Sequence, residues 1–96
     1  MSKYISLINW TEQGIQAVKN STARWDAAKE LAKKSGCTFE TIYMTFGQYD
    51  LVAILDAPSD EVAAKVNLQL AMGGAIRSTT LKAFAEDEYR KVIASV

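Results

Sequence analysis

The chain has 96 residues, 49% apolar and 23% charged, and its 11 basic side chains balance 11 acidic ones. This composition describes one folded domain over residues 1–96 rather than a disordered chain, and neutrality without a basic run longer than Lys33-Lys34 argues against nucleic-acid or membrane-surface partners. A chain this short buries only roughly 60 to 68% of the surface its unfolded form exposes, so a thin core and self-association are expected.

Lys3 to Asn9 reads as a first strand, containing Tyr and two Ile and ended by a turn-prone Asn. Its side chains alternate, with Ile5 and Leu7 on one face and Tyr4, Ser6 and Ile8 on the other. Thr11 caps a short helical stretch, and Gly14 comes too early for a long one. A firmer helix follows, with Ser21 or Asn20 as its N-cap. In it Trp25, Ala28, Leu31 and Ala32 recur at helical spacing, Arg24, Asp26, Lys29, Glu30 and Lys33 fall largely on the other side, and Lys33, Lys34 and Gly36 mark its end.

Cys37 to Phe46 is dense in β-branched and aromatic residues and reads as a long second strand that breaks at Gly47. Gly47-Gln48-Tyr49-Asp50 is short enough for a hairpin, and Leu51 to Leu55 is a continuous apolar run of the kind covered on both faces. Ser59 caps the next helix, with Asp60 and Glu61 in its first turn, Val62, Ala63, Val66 and Leu70 as its buried stripe, and Gly73-Gly74 as its stop. Ile76 to Phe84 is a fourth strand. Glu86 to Ser95 is a closing helix with acids first and bases later.

The order β-α-β-β-α-β with a terminal helix predicts an α+β, ferredoxin-like sandwich, four antiparallel strands with helices on one face. The other face is left open and is expected to carry some of Tyr4, Ser6, Ile8, Tyr43, Thr45, Arg77 and Thr79. Cover for that face predicts a homodimer or higher homo-oligomer. No apolar stretch approaches the ~20 residues of a spanning helix, and the lone Cys37 suits a reducing compartment, so a cytoplasmic location is expected.

The Gly47-x-Tyr49-Asp50-Leu51-Val52 stretch is collinear with Thr11-x-Gln13-Gly14-Ile15, Arg24, Gly36, Tyr43-x-Thr45, Ala57-Pro58, Thr79-Thr80-Leu81-x-Ala83-Phe84 and Glu88-Tyr89. This set resembles the GYD domain family over nearly the whole chain. Three positions depart from the pattern: Cys37 where a second glycine is common, Ser21-Thr22 where Ser-Pro often opens the helix, and Ala85 where a hydroxyl cap is common. The last change should weaken the final helix by about 1 kcal/mol. The resemblance implies a ferredoxin-like fold of the dimeric α/β-barrel type, in which two sheets enclose a central space. It implies no activity.

The absence of histidine removes the usual proton shuttle and the commonest metal and haem ligand, so neither a metal nor a cofactor is expected. Gly73-Gly74 lacks the lysine and spacing of a phosphate loop. Cys37, without a His or second Cys, reads as structural. Asp50 is the single weak catalytic candidate, as a general base whose pKa burial would raise; the turn-capping reading, in which its carboxylate accepts backbone N–H bonds, is preferred. Tyr43, Thr45, Tyr49, Arg77 and Thr79 are the candidate ligand-binding residues. Arg77 could grip an anionic oxygen with its planar fork, or pair with an acid of a neighbouring subunit such as Asp50 or Glu40.

Three functions stay open. The leading one is a non-catalytic oligomeric module binding a small organic molecule in the barrel. The alternative is a cofactor-independent oxygenase or isomerase, with Asp50 as base and Tyr43, Tyr49 and Arg77 orienting the substrate. The third is a structural assembly protein whose barrel is filled by its own side chains.

Overall fold

The computed structural model describes all of residues 1–96. β1 (Ser2–Trp10) leads through the short α1 (Glu12–Gln16) and a 3-10 turn (Val18–Asn20) into α2 (Ser21–Lys34). β2 (Thr38–Met44), β3 (Leu51–Ala57), α3 (Asp60–Met72), β4 (Ile76–Ala83) and α4 (Glu86–Ala94) follow. The strands form one antiparallel sheet in the order β2-β3-β1-β4, which gives the expected ferredoxin-like arrangement.

The element ends follow local chemistry. Thr11 Oγ1 accepts the Gly14 N–H at 3.1 Å, and Ser59 Oγ accepts the Val62 N–H at 3.2 Å, so each hydroxyl satisfies an orphan donor of its helix. Gly36 leaves α2 with φ 79°, a left-handed angle that glycine adopts without strain. At α4 the Ala85 side chain offers no acceptor. Glu88 Oε1 still accepts the Ala85 N–H at 3.2 Å, so half of a capping box survives the missing hydroxyl.

The core is thin, as the length implies: 12 of the 96 residues are buried. Tyr4, Cys37, Leu55 and Val66 lie at its centre, and Ala32, Ala57 and Ala63 let the helices approach the sheet closely. This placement corrects one expectation. Tyr4, Ser6 and Ile8 face the helices, and Ile5 and Leu7 face the open side, the reverse of the assignment that put Tyr4, Ser6 and Ile8 on the naked face. Both faces of β1 carry apolar residues, so alternation alone could not orient it. Register decides: Tyr4 sits opposite Leu55 and Ser6 opposite Ala53, which places them against the small residues under the helices.

α4 packs against no other element extensively. The molecule is accordingly elongated, with extents of 48 × 31 × 17 Å and a radius of gyration of 14.2 Å, against about 12.5 Å for a compact chain of this length.

The turn between β2 and β3 requires Gly47, whose φ is 136° although nothing lies within 4 Å of where a Cβ would sit. The restriction there is conformational, not spatial. Gly47→Val is therefore expected to destabilise the fold by about 1–3 kcal/mol, read as a lower urea midpoint. An unchanged midpoint would show that the turn tolerates a different backbone path.

Candidate functional site

Register places the side chains of the open sheet face in rows. Tyr43, Val52, Leu7 and Thr79 form one row, and Thr41, Ile54, Ile5 and Leu81 the next. Ile5, Leu7, Val52 and Ile54 are only half-buried in the single chain, while Tyr43 is 61% and Leu81 46% exposed. The continuous apolar run in β3 thus has its second side turned to the open face. Opposite ends of this face differ in charge. At one end Lys3 Nζ lies 2.6 Å from Glu40 and 3.0 Å from Asp56, two acids to one base. Hydrogen bonds to Glu40 and then Asp56 raise the Lys3 pKa. Burial pushes the Asp56 carboxyl up, but its bonds with Glu40 and Lys3 outweigh that and hold it below the usual value. At the other end Arg77, paired in register with Asn9, is exposed and has no acid within 4.0 Å.

The candidate ligand residues divide between two places. Tyr43, Arg77 and Thr79 share the open face, but Tyr43 stands on one edge strand and Arg77 and Thr79 on the other, about 14 Å apart by strand spacing. Thr45 and Tyr49 belong to the β2–β3 turn, where the Thr45 hydroxyl donates to the Tyr49 carbonyl at 2.6 Å. Asp50 fastens that turn to the end of β1: its N–H donates to the Ile8 carbonyl and its Oδ2 accepts the Trp10 N–H, both at 2.9 Å. The Gly-x-Tyr-Asp stretch is thus a buckle between the turn and the central strand.

The other concave feature lies on the helix side. A cleft of about 560 Å³ opens between α2, α3 and the sheet, and 14 of its 19 lining residues are hydrophobic. Trp25 and Leu31 from α2, Phe39 and Ile42 from β2, Trp10 from β1 and Leu70 from α3 form its walls. The Trp25 and Phe39 rings pack with centroids 4.9 Å apart, tilted by 59°, a favourable edge-on geometry. None of the candidate ligand residues chosen from the sequence lines this cleft.

Arg24 does; the sequence reading named it among the positions that carry the family resemblance but grouped it with the charged side of α2 and not with the site residues. It is half-buried, with Nη1 3.1 Å from the Ala17 carbonyl and Nη2 3.4 Å from the Gly14 carbonyl. The signal was present in the chain: α1 is too short to satisfy its own carbonyls, and a cation a few residues on can do so.

A polar cluster at the start of α3 completes the inventory. The Tyr4 hydroxyl donates to Asp60, and Lys82 Nζ lies 3.0 Å from the same carboxylate. Tyr4 and then Lys82 hold Asp60 below the usual carboxylate range, while the bond to Asp60 and burial push the Tyr4 phenol up. Both groups are held in their ordinary neutral-pH forms, and the cluster ties α3 to the sheet. Burial raises the Cys37 thiol as well, which disfavours the reactive thiolate. No three His, Cys, Asp or Glu side chains are grouped to hold a metal ion. No helix is long and apolar enough to cross a membrane.

Comparison with known proteins agrees with this frame. A crystal structure of a protein from Thermus thermophilus superposes with a TM-score of 0.56 at 24% identity, covering 88% of this chain and 95% of that one, and so shares the fold. The glutamine synthetase and cystathionine beta-lyase binding protein of the same organism is 30% identical over 84 residues, 86% of this chain and 88% of that protein. The profile of the GYD domain matches residues 4–93, which contain the Gly47–Asp50 buckle, its anchor on β1 and the strands it joins. The chain belongs to the GYD domain family.

Proposed function

We propose that this chain is a homo-oligomeric binding module that takes a small organic molecule into the cleft on the helix side of its sheet. The observation that carries the reading is the cleft itself: its volume of about 560 Å³ falls within the 300–1,000 Å³ typical of ligand pockets, and its wall is apolar with few polar groups, as such pockets are. The reading assigns no reaction to the protein. It also moves the ligand away from Thr45 and Tyr49 in the β2–β3 turn and from Tyr43, Arg77 and Thr79, whose open face is better suited to assembly. There a two-fold axis that reverses strand direction would cover Ile5, Leu7, Val52 and Ile54 and turn the unpaired Arg77 of one copy toward the acidic end of the other.

The test is uptake of the uncharged fluorophore N-phenyl-1-naphthylamine, followed by emission excited through tryptophan, since Trp10 and Trp25 stand on the cleft wall. Saturable binding is expected, and Ala28→Trp, which adds bulk to that wall, should abolish it while circular dichroism shows the fold retained. Absence of binding, or binding unchanged by Ala28→Trp, overturns the reading.

A protein partner is the second reading, and α4 favours it. Tyr89, Val92 and Ile93 recur at helical spacing and are all exposed, and the Thermus thermophilus relative is named for binding two enzymes. An apolar helical stripe of this kind suits a groove on an enzyme surface.

A further inference from the structure

Arg24 is the one ionisable side chain on the wall of the helix-side cleft. It has no acid within 4.0 Å, and only two of its hydrogen-bond donors are used, on the carbonyls of Gly14 and Ala17. A guanidinium offers five such donors. Nε makes no hydrogen bond within the chain, and no fully buried side-chain nitrogen or oxygen lacks a partner, so Nε is not enclosed and its donor is within reach of solvent or ligand. The same wall carries Trp10, Trp25, Leu31 and Phe39, apolar and aromatic surface for the body of a ligand.

From this juxtaposition we infer that the cleft selects a small molecule with an apolar or aromatic body and one anionic head, a carboxylate or a group of like charge, held by Arg24. The inference rests on the cleft being the binding site. Three features of the chain support the choice of an anion. A half-buried guanidinium beside apolar walls gains more from a counter-charge than a solvated one does, because water screens it less. The two backbone carbonyls fix the plane of the guanidinium, so little side-chain freedom is lost when it grips a ligand. Arg24 also stands in the first turn of α2, where the helix dipole is positive and Asn20 makes no side-chain cap bond. The cleft wall contains no Asp or Glu to compete.

The experiment compares two fluorophores with one ring skeleton, 1-anilinonaphthalene-8-sulfonate and the uncharged N-phenyl-1-naphthylamine, on the whole chain. The sulfonate is expected to bind about 10-fold tighter or better, the worth of charge-assisted hydrogen bonds. Arg24→Gln should remove that preference while leaving the uncharged probe's affinity as it was, and Arg24→Lys should restore part of it, since charge remains and the fork is lost. Equal affinities in the unmodified protein, or a preference that survives Arg24→Gln, overturn the inference while the cleft reading stands. If neither probe binds, the cleft reading fails first. Should Arg24→Gln not fold, competition by 1-naphthoate against 1-naphthylmethanol on the unmodified chain decides the same question: tighter displacement by the carboxylate supports the inference, and equal displacement refutes it.

Discussion

Gly14→Ala is expected to lower the melting temperature by about 10 °C or more, although alanine is the better helix former by about 1 kcal/mol. Gly14 is buried where α1 crosses the segment leading into β4, and a Cβ built on it would lie 1.9 Å from the Ala75 carbonyl oxygen and 2.9 Å from its carbon. Neither side can give way cheaply. The Thr11 N–H donates to that same carbonyl at 3.0 Å and the Thr11 hydroxyl to the Gly74 carbonyl at 2.5 Å, so moving α1 breaks the bonds that seat it. Overpacking of this kind costs about 1–3 kcal/mol and sometimes more, and a core of 12 buried residues has little reserve. The consequence reaches the cleft, because Gly14 supplies one of the two carbonyls that orient Arg24. A thermal melt followed by circular dichroism is the measurement. A Tm unchanged within a degree or two would show that α1 is not seated on Ala75.

The second large effect concerns assembly. Ile54→Lys is expected to weaken self-association by a factor on the order of 100 or more, because it places an uncompensated ammonium at the centre of a face that oligomerisation would desolvate. Ile54 pairs with Ile5 in the middle of the sheet and is half-buried in the single chain, so a lysine there can reach water when no second copy is present. The variant should therefore stay folded and run as a monomer at concentrations where the proposed assembly would make the unmodified protein dimeric or larger. Light scattering over a dilution series separates the outcomes. A folded, monomeric unmodified chain at micromolar concentration would refute assembly through this face, as would an Ile54→Lys variant of unaltered mass.

Element order, turns and the caps of α1 and α3 were legible in the residues because their causes are local, whereas the cap expected of Asn20 or Ser21 on α2 makes no side-chain bond. A hydroxyl three residues before an orphan N–H, a glycine where φ must be positive, and acids at the head of α3 act over a few positions whatever the rest of the chain does. The role of Asp50 was legible for the same reason. A turn aspartate commonly accepts a backbone donor, and only the identity of that donor, Trp10 on a distant strand, needed the fold.

What the tertiary structure alone decided was which side of each element matters. β1 is apolar on both faces, so its orientation followed from pairing with β3 and from the small residues Ala53, Ala57 and Ala63, which admit the helices on one side. Arg24 was grouped with the charged side of α2, although helical spacing sets it one and two turns before Ala28 and Leu31 on the same face; the fold then brings its guanidinium onto two carbonyls at the cleft. Tyr43 and Arg77 share a face by alternation, but strand order puts them on opposite edges. Alternation and helical period are properties of one segment, whereas a pocket is made by the distances between segments, and those are set only when side chains far apart in the chain pack against one another.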